Sequence, residues 1–208
     1  MSMNKSSITL VALAALVIGF GLSWYLASNR PIQLESGTWF GEQARPLPDF
    51  ELTDDHNRPL TRADLLGKWS LMFFGYTNCP DICPIALQTL DQTLRSIDDP
   101  DVVKALQVYF ISVDPERDTP QRLAEYVPYF NPTFIGATAP LDKLDKLTGP
   151  LGIAHEIHDH PEGSESYGVD HSGAIVLINP QAEYAALFGA PQDAAAMARD
   201  LTRIVEHH

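Results

Sequence analysis

Two strand-length runs with almost no polar break constrain this chain more than any other feature. They are "WSLMFFGYT", Trp69–Thr77, and "LQVYFISVD", Leu106–Asp114. A strand covered on one face alternates apolar with polar residues, so a continuous apolar run belongs to a strand buried on both faces. Between the runs, "PIALQTLDQTLRSI" sets Ile85, Leu87, Leu90, Leu94 and Ile97 at helical spacing. Strand, helix and strand in that order predict a sheet with helices packed on its faces.

The flanking segments extend the pattern. "DFELTDDHNRPLT" reads as a hairpin turning at "DDHN", and "RADLLGK" as a helical turn closed by Gly67. Thr119 and Pro120 are a cap and a first helical residue. "TFIGAT" reads as a short strand and "APLDKLDKLTGPLG" as a helix ending at Gly149 and Pro150. "IAHEIH" and "HSGAIVLIN" are strands around the loop "DHPEGSESYGVD", "EYAALFG" is another strand, and "PQDAAAMARDLTRIVEHH" is a closing helix opened by Pro191. The expected fold is α/β, a central mixed sheet flanked by helices with a hairpin at its N-terminal side.

Ahead of this domain lies a different kind of segment. Ile8–Ala27 is a 20-residue run without charge, with Trp24 and Tyr25 near one end. At about 1.5 Å per residue a helix of that length spans a bilayer core. It is too long for a typical signal-peptide core, and Tyr25 spoils a small-residue cleavage site. The expected division is a tail (1–7), a single transmembrane anchor (8–27), a polar linker (28–45) and a folded domain (46–208). Lys5 before the run and Arg30 and Arg45 after it leave the orientation open.

The net charge of −13 repels phosphates and excludes nucleic acid as a partner. It suits a metal ion or a basic protein surface.

The chain has two cysteines, Cys79 and Cys83, in "FFGYTNCPDICP". They fall just past a central strand, at the start of a helix, where open α/β sheets gather their sites. A helix N-terminus favours thiolate, and two soft thiolates on one rim can clamp Cu(I) among other metals. The same pair can act as a redox couple. A purely structural disulfide would close a loop too small to stabilise much. A third metal ligand would come from histidine. His155, His158, His160 and His171 cluster late in the chain, and His171 is the sharpest candidate because it precedes an apolar strand. Asp170 beside it would either orient the imidazole or serve the turn. Arg117 and Asp118 are placed to pair and fix the turn after Asp114. Thr77 with Arg117 would serve a peroxidase-type thiol, provided they converge.

Three motifs in order, "FFGYTNCPDICP", "VYFISVDPERDTP" and "VDHSGAIVLINP", resemble the Sco/SenC family of membrane-anchored, thioredoxin-like copper proteins. The resemblance covers about Leu47 to His208 and the N-terminal run. It implies a thioredoxin-like fold and one copper ion, Cu(I) or Cu(II), held by Cys79, Cys83 and His171. It further implies a role in assembling the dinuclear copper centre of cytochrome c oxidase subunit II. The partners would be that subunit and periplasmic copper donor proteins. The location would be a bacterial inner membrane with the domain in the periplasm, or a mitochondrial intermembrane space. An alternative is a thiol–disulfide reductase in which Cys79 and Cys83 keep the oxidase cysteines reduced.

Overall fold

The computed structural model of the chain describes residues 13, 15–24, 32–161, 163–164 and 166–207. Residues 15–24 are helical and exposed. Residues 8–12, 14 and 25–27 of the expected anchor lie outside the described residues. Among the described residues, no helix is long and apolar enough to cross a membrane.

Gln33–His208 forms a compact unit of its own. Its strands are β1 (Thr38–Trp39), β2 (Arg45–Pro46), β3 (Glu51–Asp54), β4 (Pro59–Thr61), β5 (Trp69–Gly75), β6 (Leu106–Ser112), β7 (Ile135–Thr138), β8 (His155–Ile157), β9 (Val169–His171), β10 (Ile175–Ile178) and β11 (Glu183–Phe188). Its α-helices are α1 (Ile82–Arg95), α2 (Pro100–Ala105), α3 (Pro120–Tyr126), α4 (Leu141–Leu151) and α5 (Ala194–Glu206). Among the described residues, one large sheet runs β1-β11-β10-β5-β6-β7-β3-β4, with β2 also on β11. β5, β6 and β7 are parallel, and the other pairings are antiparallel, so the sheet is mixed.

The two apolar runs are the central strands. Leu71, Met72, Phe73, Phe74, Phe110 and Ile111 are fully buried. Each such side chain contributes roughly 2 kcal/mol by leaving water. Helix α1 turns Cys83, Ala86, Leu87 and Leu90 inward. Helices α1 and α2 pack on α5, while α3 packs on β7 and α4 on β3. At the far edge β3 and β4 form the expected hairpin.

Several local expectations change. Part of the stretch read as linker belongs to the sheet, because β1 and β2 pair with β11. The segment before β1 is also held: Asp200, buried in α5, accepts from the Glu35 and Ser36 N–H groups and the Ser36 hydroxyl. Helix α4 continues through Pro150 and ends at Gly152, whose φ of +69 suits the left-handed stop. Helix α5 begins at Ala194 under an Asp193 cap, after Pro191 rather than on it. Helix α2 went unread, although Asp99 caps it and Pro100 opens it.

Candidate metal centre

The site forms where β5 ends and α1 begins. Cys79 lies in the turn between them, its N–H donating to the Tyr76 carbonyl. Cys83 lies in the first turn of α1. Asp81 stands at the cap position without a side-chain bond. The sulfur of Cys79 serves instead, accepting from the Cys83 N–H at 3.4 Å. The helix start thus turns both thiols towards one point.

Cys83 is wholly buried, while Cys79 is partly exposed. Gly75, the last residue of β5, makes the room. A Cβ there would lie 2.5 Å from Cys83 Sγ. Burial, and then the neighbouring Cys79, push the Cys83 thiol above its ordinary value. The buried sulfur is therefore a protonated thiol unless a cation replaces the proton.

His171 completes the group from the other side. It ends β9, and among the described residues β9 pairs with β8 alone, in a separate two-stranded sheet. The sequence reading put it at the start of the apolar strand. Residues 172–174, which belong to no strand, separate it from β10. Its Nε2 lies 3.4 Å from Cys83 Sγ and 4.0 Å from Cys79 Sγ. Its Nδ1 lies 3.2 Å from the Ser172 carbonyl, a partner that only an N–H can face. That bond leaves the Nε2 lone pair directed at the sulfurs. Burial holds the imidazole below the usual histidine range, which favours the neutral, ligating form. The rings of Phe73 and Tyr76 stand edge-on to it at 6.0 and 5.7 Å.

These three donors lie within 4.8 Å of one another. A metal bonded to two thiolates at about 2.3 Å and an imidazole at about 2.0 Å needs donor–donor edges of roughly 3.5–4 Å. The two sulfur–nitrogen edges, 3.4 and 4.0 Å, match, and the sulfurs lie within 4.8 Å of each other, so the residues fit a soft metal ion.

Other expected participants go elsewhere. Asp170 is largely exposed and pairs with His158 at 3.0 Å rather than with His171. His155 lies between Thr148 and Asp145, and His160 pairs with Glu116. Arg117 pairs with Asp114 and not with Asp118. Asp118 turns inward and accepts from the Thr77 N–H, the Thr77 hydroxyl and the Ser112 hydroxyl. Thr77 and Arg117 thus have separate partners and do not converge; the arginine that reaches Thr77 is Arg122, whose Nε donates to the hydroxyl at 3.3 Å. Asp54, Asp55 and His56 also lie close together. The carboxylates are taken up by Arg58, the Gly136 N–H and His56 itself. Gly75 and Tyr76 were missed by sequence reasoning. The only signal was their place beside the cysteines.

A mixed-sheet thioredoxin-like domain with two thiols at a strand–helix corner and a facing imidazole defines a class of thiol- and metal-handling proteins. The SCO1/SenC family model matches residues 41–206, and the chain belongs to that family. Protein SCO2, mitochondrial, of Saccharomyces cerevisiae is 33% identical over 186 residues, 87% of this chain and 61% of that protein. The chain thus spans under two thirds of that relative's length. The structure of Arabidopsis thaliana ScoI with copper bound superposes with a TM-score of 0.71 at 30% identity, covering 78% of this chain and 99% of that one. Yeast Sco1 with copper bound gives 0.73 at 29% identity, covering 79% and 90%.

Proposed function

We propose that this chain is a copper-binding assembly factor for cytochrome c oxidase, holding one copper ion through Cys79, Cys83 and His171. The observation that carries this reading is the donor triangle, two sulfurs and a lone-pair nitrogen within 4.8 Å. Copper rather than another soft metal follows from the similarity to the copper-bound ScoI and Sco1 structures. Bound copper would keep both thiols as thiolates and supply the cargo for a dinuclear copper site. The receiving partner is subunit II of the oxidase, and the ion arrives from a copper donor protein. The residues of the chain provide asymmetric access. Cys83 is sealed, so a partner's ligand must approach by way of Cys79. The uncharged run 8–27 anchors the domain in a bacterial inner membrane, with the domain in the periplasm.

The test is Cu(I) titration of the full chain in detergent under reducing conditions, against a competing chelator. One tightly bound copper per chain is expected, with affinity lost in Cys79→Ala, Cys83→Ala and His171→Ala. Unchanged affinity in His171→Ala would remove the histidine from the site.

The exposed and buried members of the cysteine pair also support a second role, reduction of the oxidase cysteines. The Cys79 thiolate attacks a target disulfide to form a mixed disulfide, and Cys83 displaces the target sulfur. Two electrons pass to the target, whose two sulfurs leave reduced, and a Cys79–Cys83 disulfide remains. This activity would survive His171→Ala. Its loss in that variant would tie the chemistry to the metal.

A further inference from the structure

The two halves of the donor set are held by different means. The sulfurs ride on β5 and α1, both embedded in the main body of the domain. His171 rides on the β8–β9 hairpin, which among the described residues has no ladder to the large sheet. Something other than sheet hydrogen bonds must hold Nε2 opposite the thiols.

We propose that Arg117, gripped by Asp114 and Tyr167, is the positioning residue that fastens this hairpin to the cysteine corner and so sets His171 within ligand reach. The inference rests on the reading of His171 as a ligand.

The contacts form a closed circuit. Asp114 follows β6 and is wholly buried, and the Arg117 side chain is 10% exposed. Arg117 Nε donates to one Asp114 oxygen, and the Tyr167 hydroxyl donates to the other at 2.7 Å. Arg117 Nη1 returns to the hairpin side, donating to the Tyr167 carbonyl at 3.1 Å. Tyr167 is therefore held at its hydroxyl, its ring and its backbone, just before β9.

Stacking completes the grip. The guanidinium lies 3.6 Å from the centre of the Tyr167 ring and 5.4 Å from that of Tyr76. His160 stacks on Tyr167 at 3.6 Å with 12° between planes, and two groups that close must take opposite faces. Tyr76 carries the contact on to His171, whose ring stands edge-on to it at 5.7 Å. A planar fork that bonds two groups while lying between two rings is a task for arginine that lysine cannot perform. Residues that orient a metal ligand typically change affinity by about 10- to 100-fold when removed.

The experiment uses the full chain in detergent, with Cu(I) competition titration of wild type, Arg117→Ala, Arg117→Lys, Tyr167→Phe and His171→Ala. Thermal melts check folding. In the metal-free protein, the NMR contact between the Tyr76 and His171 rings and the alkylation rate of Cys79 are read in parallel. Arg117→Ala is expected to weaken Cu(I) binding at least about tenfold, lose the ring contact and leave Cys79 alkylation unchanged. Arg117→Lys is expected to restore neither affinity nor contact. Tyr167→Phe, which removes a single hydrogen bond, is expected to give a smaller loss of the same kind. Wild-type affinity and an intact ring contact in Arg117→Ala overturn the proposal. Should that variant not fold, the same two results in Arg117→Lys and Tyr167→Phe overturn it. If His171→Ala itself binds Cu(I) like wild type, the ligand reading has failed. If His171→Ala loses binding and the folded Arg117 variants do not, the positioning role alone has failed.

Discussion

Gly75→Ala tests how tightly the fold itself sets the metal centre. The added Cβ would lie 2.5 Å from Cys83 Sγ, 3.1 Å from Phe110 and 3.2 Å from Phe73. Non-bonded heavy atoms prefer about 3.5–4.0 Å, so the sulfur must retreat by about 1 Å. It has nowhere easy to go, because Cys83 is wholly buried and sits on the first turn of α1. Overpacking of a closed core costs about 1–3 kcal/mol. For a chain of this size that lowers Tm by on the order of 5 °C. The effect on copper should be larger, since ligand distances hold only within about 0.2 Å. Cu(I) competition titration should show at least about a tenfold loss, or about 1.4 kcal/mol. A double-mutant cycle with Cys83→Ala isolates the cause: with the sulfur gone, the stability cost of Gly75→Ala should shrink. Wild-type Tm and copper affinity in Gly75→Ala would refute the reasoning. So would an undiminished stability cost in the Cys83→Ala background, which would place the clash on Phe110 and Phe73.

Two further outcomes follow from contacts away from the cysteines. Asp200→Ala removes the acceptor of the Glu35 and Ser36 N–H groups, at a cost of about 2–3 kcal/mol. Hydrogen exchange at those two amides should accelerate in the variant, and unchanged protection would show that the arm is held by other contacts. Hydrogen bonding to the His158 carbonyl, then to Glu116, raises His160 above the ordinary histidine value. A raised value means that folding favours the proton. The contribution is fully present below about pH 6.5 and is lost as pH rises through the folded-state value. The stability gap between wild type and His160→Gln, read from denaturant midpoints, should be wider near about pH 5.5 than near about pH 8.5. Equal gaps would count against the pairing.

Much of this molecule was legible in one dimension because its signals are local. An apolar run such as Trp69–Gly75 declares a strand buried on both faces. Thr119 before Pro120 declares a helix start, and both were found where expected. Cys79 and Cys83 lie within one turn of each other, so their proximity needs nothing beyond the start of α1. The three motifs together also carried the family.

Only the tertiary structure decided the rest, because it depends on which distant segments become neighbours. His171 faces the thiols through a hairpin that periodicity joined to the next strand. Arg117 had two acidic neighbours within reach, Asp114 and Asp118. The burial of Asp118 against Thr77 and Ser112 left Asp114 as its partner. Residues 38–45 look like tether in sequence, yet they find β11 across the whole length of the domain. Gly75 reads as an ordinary strand end until the Cys83 sulfur appears above it. Periodicity and caps are written in neighbouring residues, whereas a metal's coordination is set by the packing of segments whose adjacency no local pattern encodes.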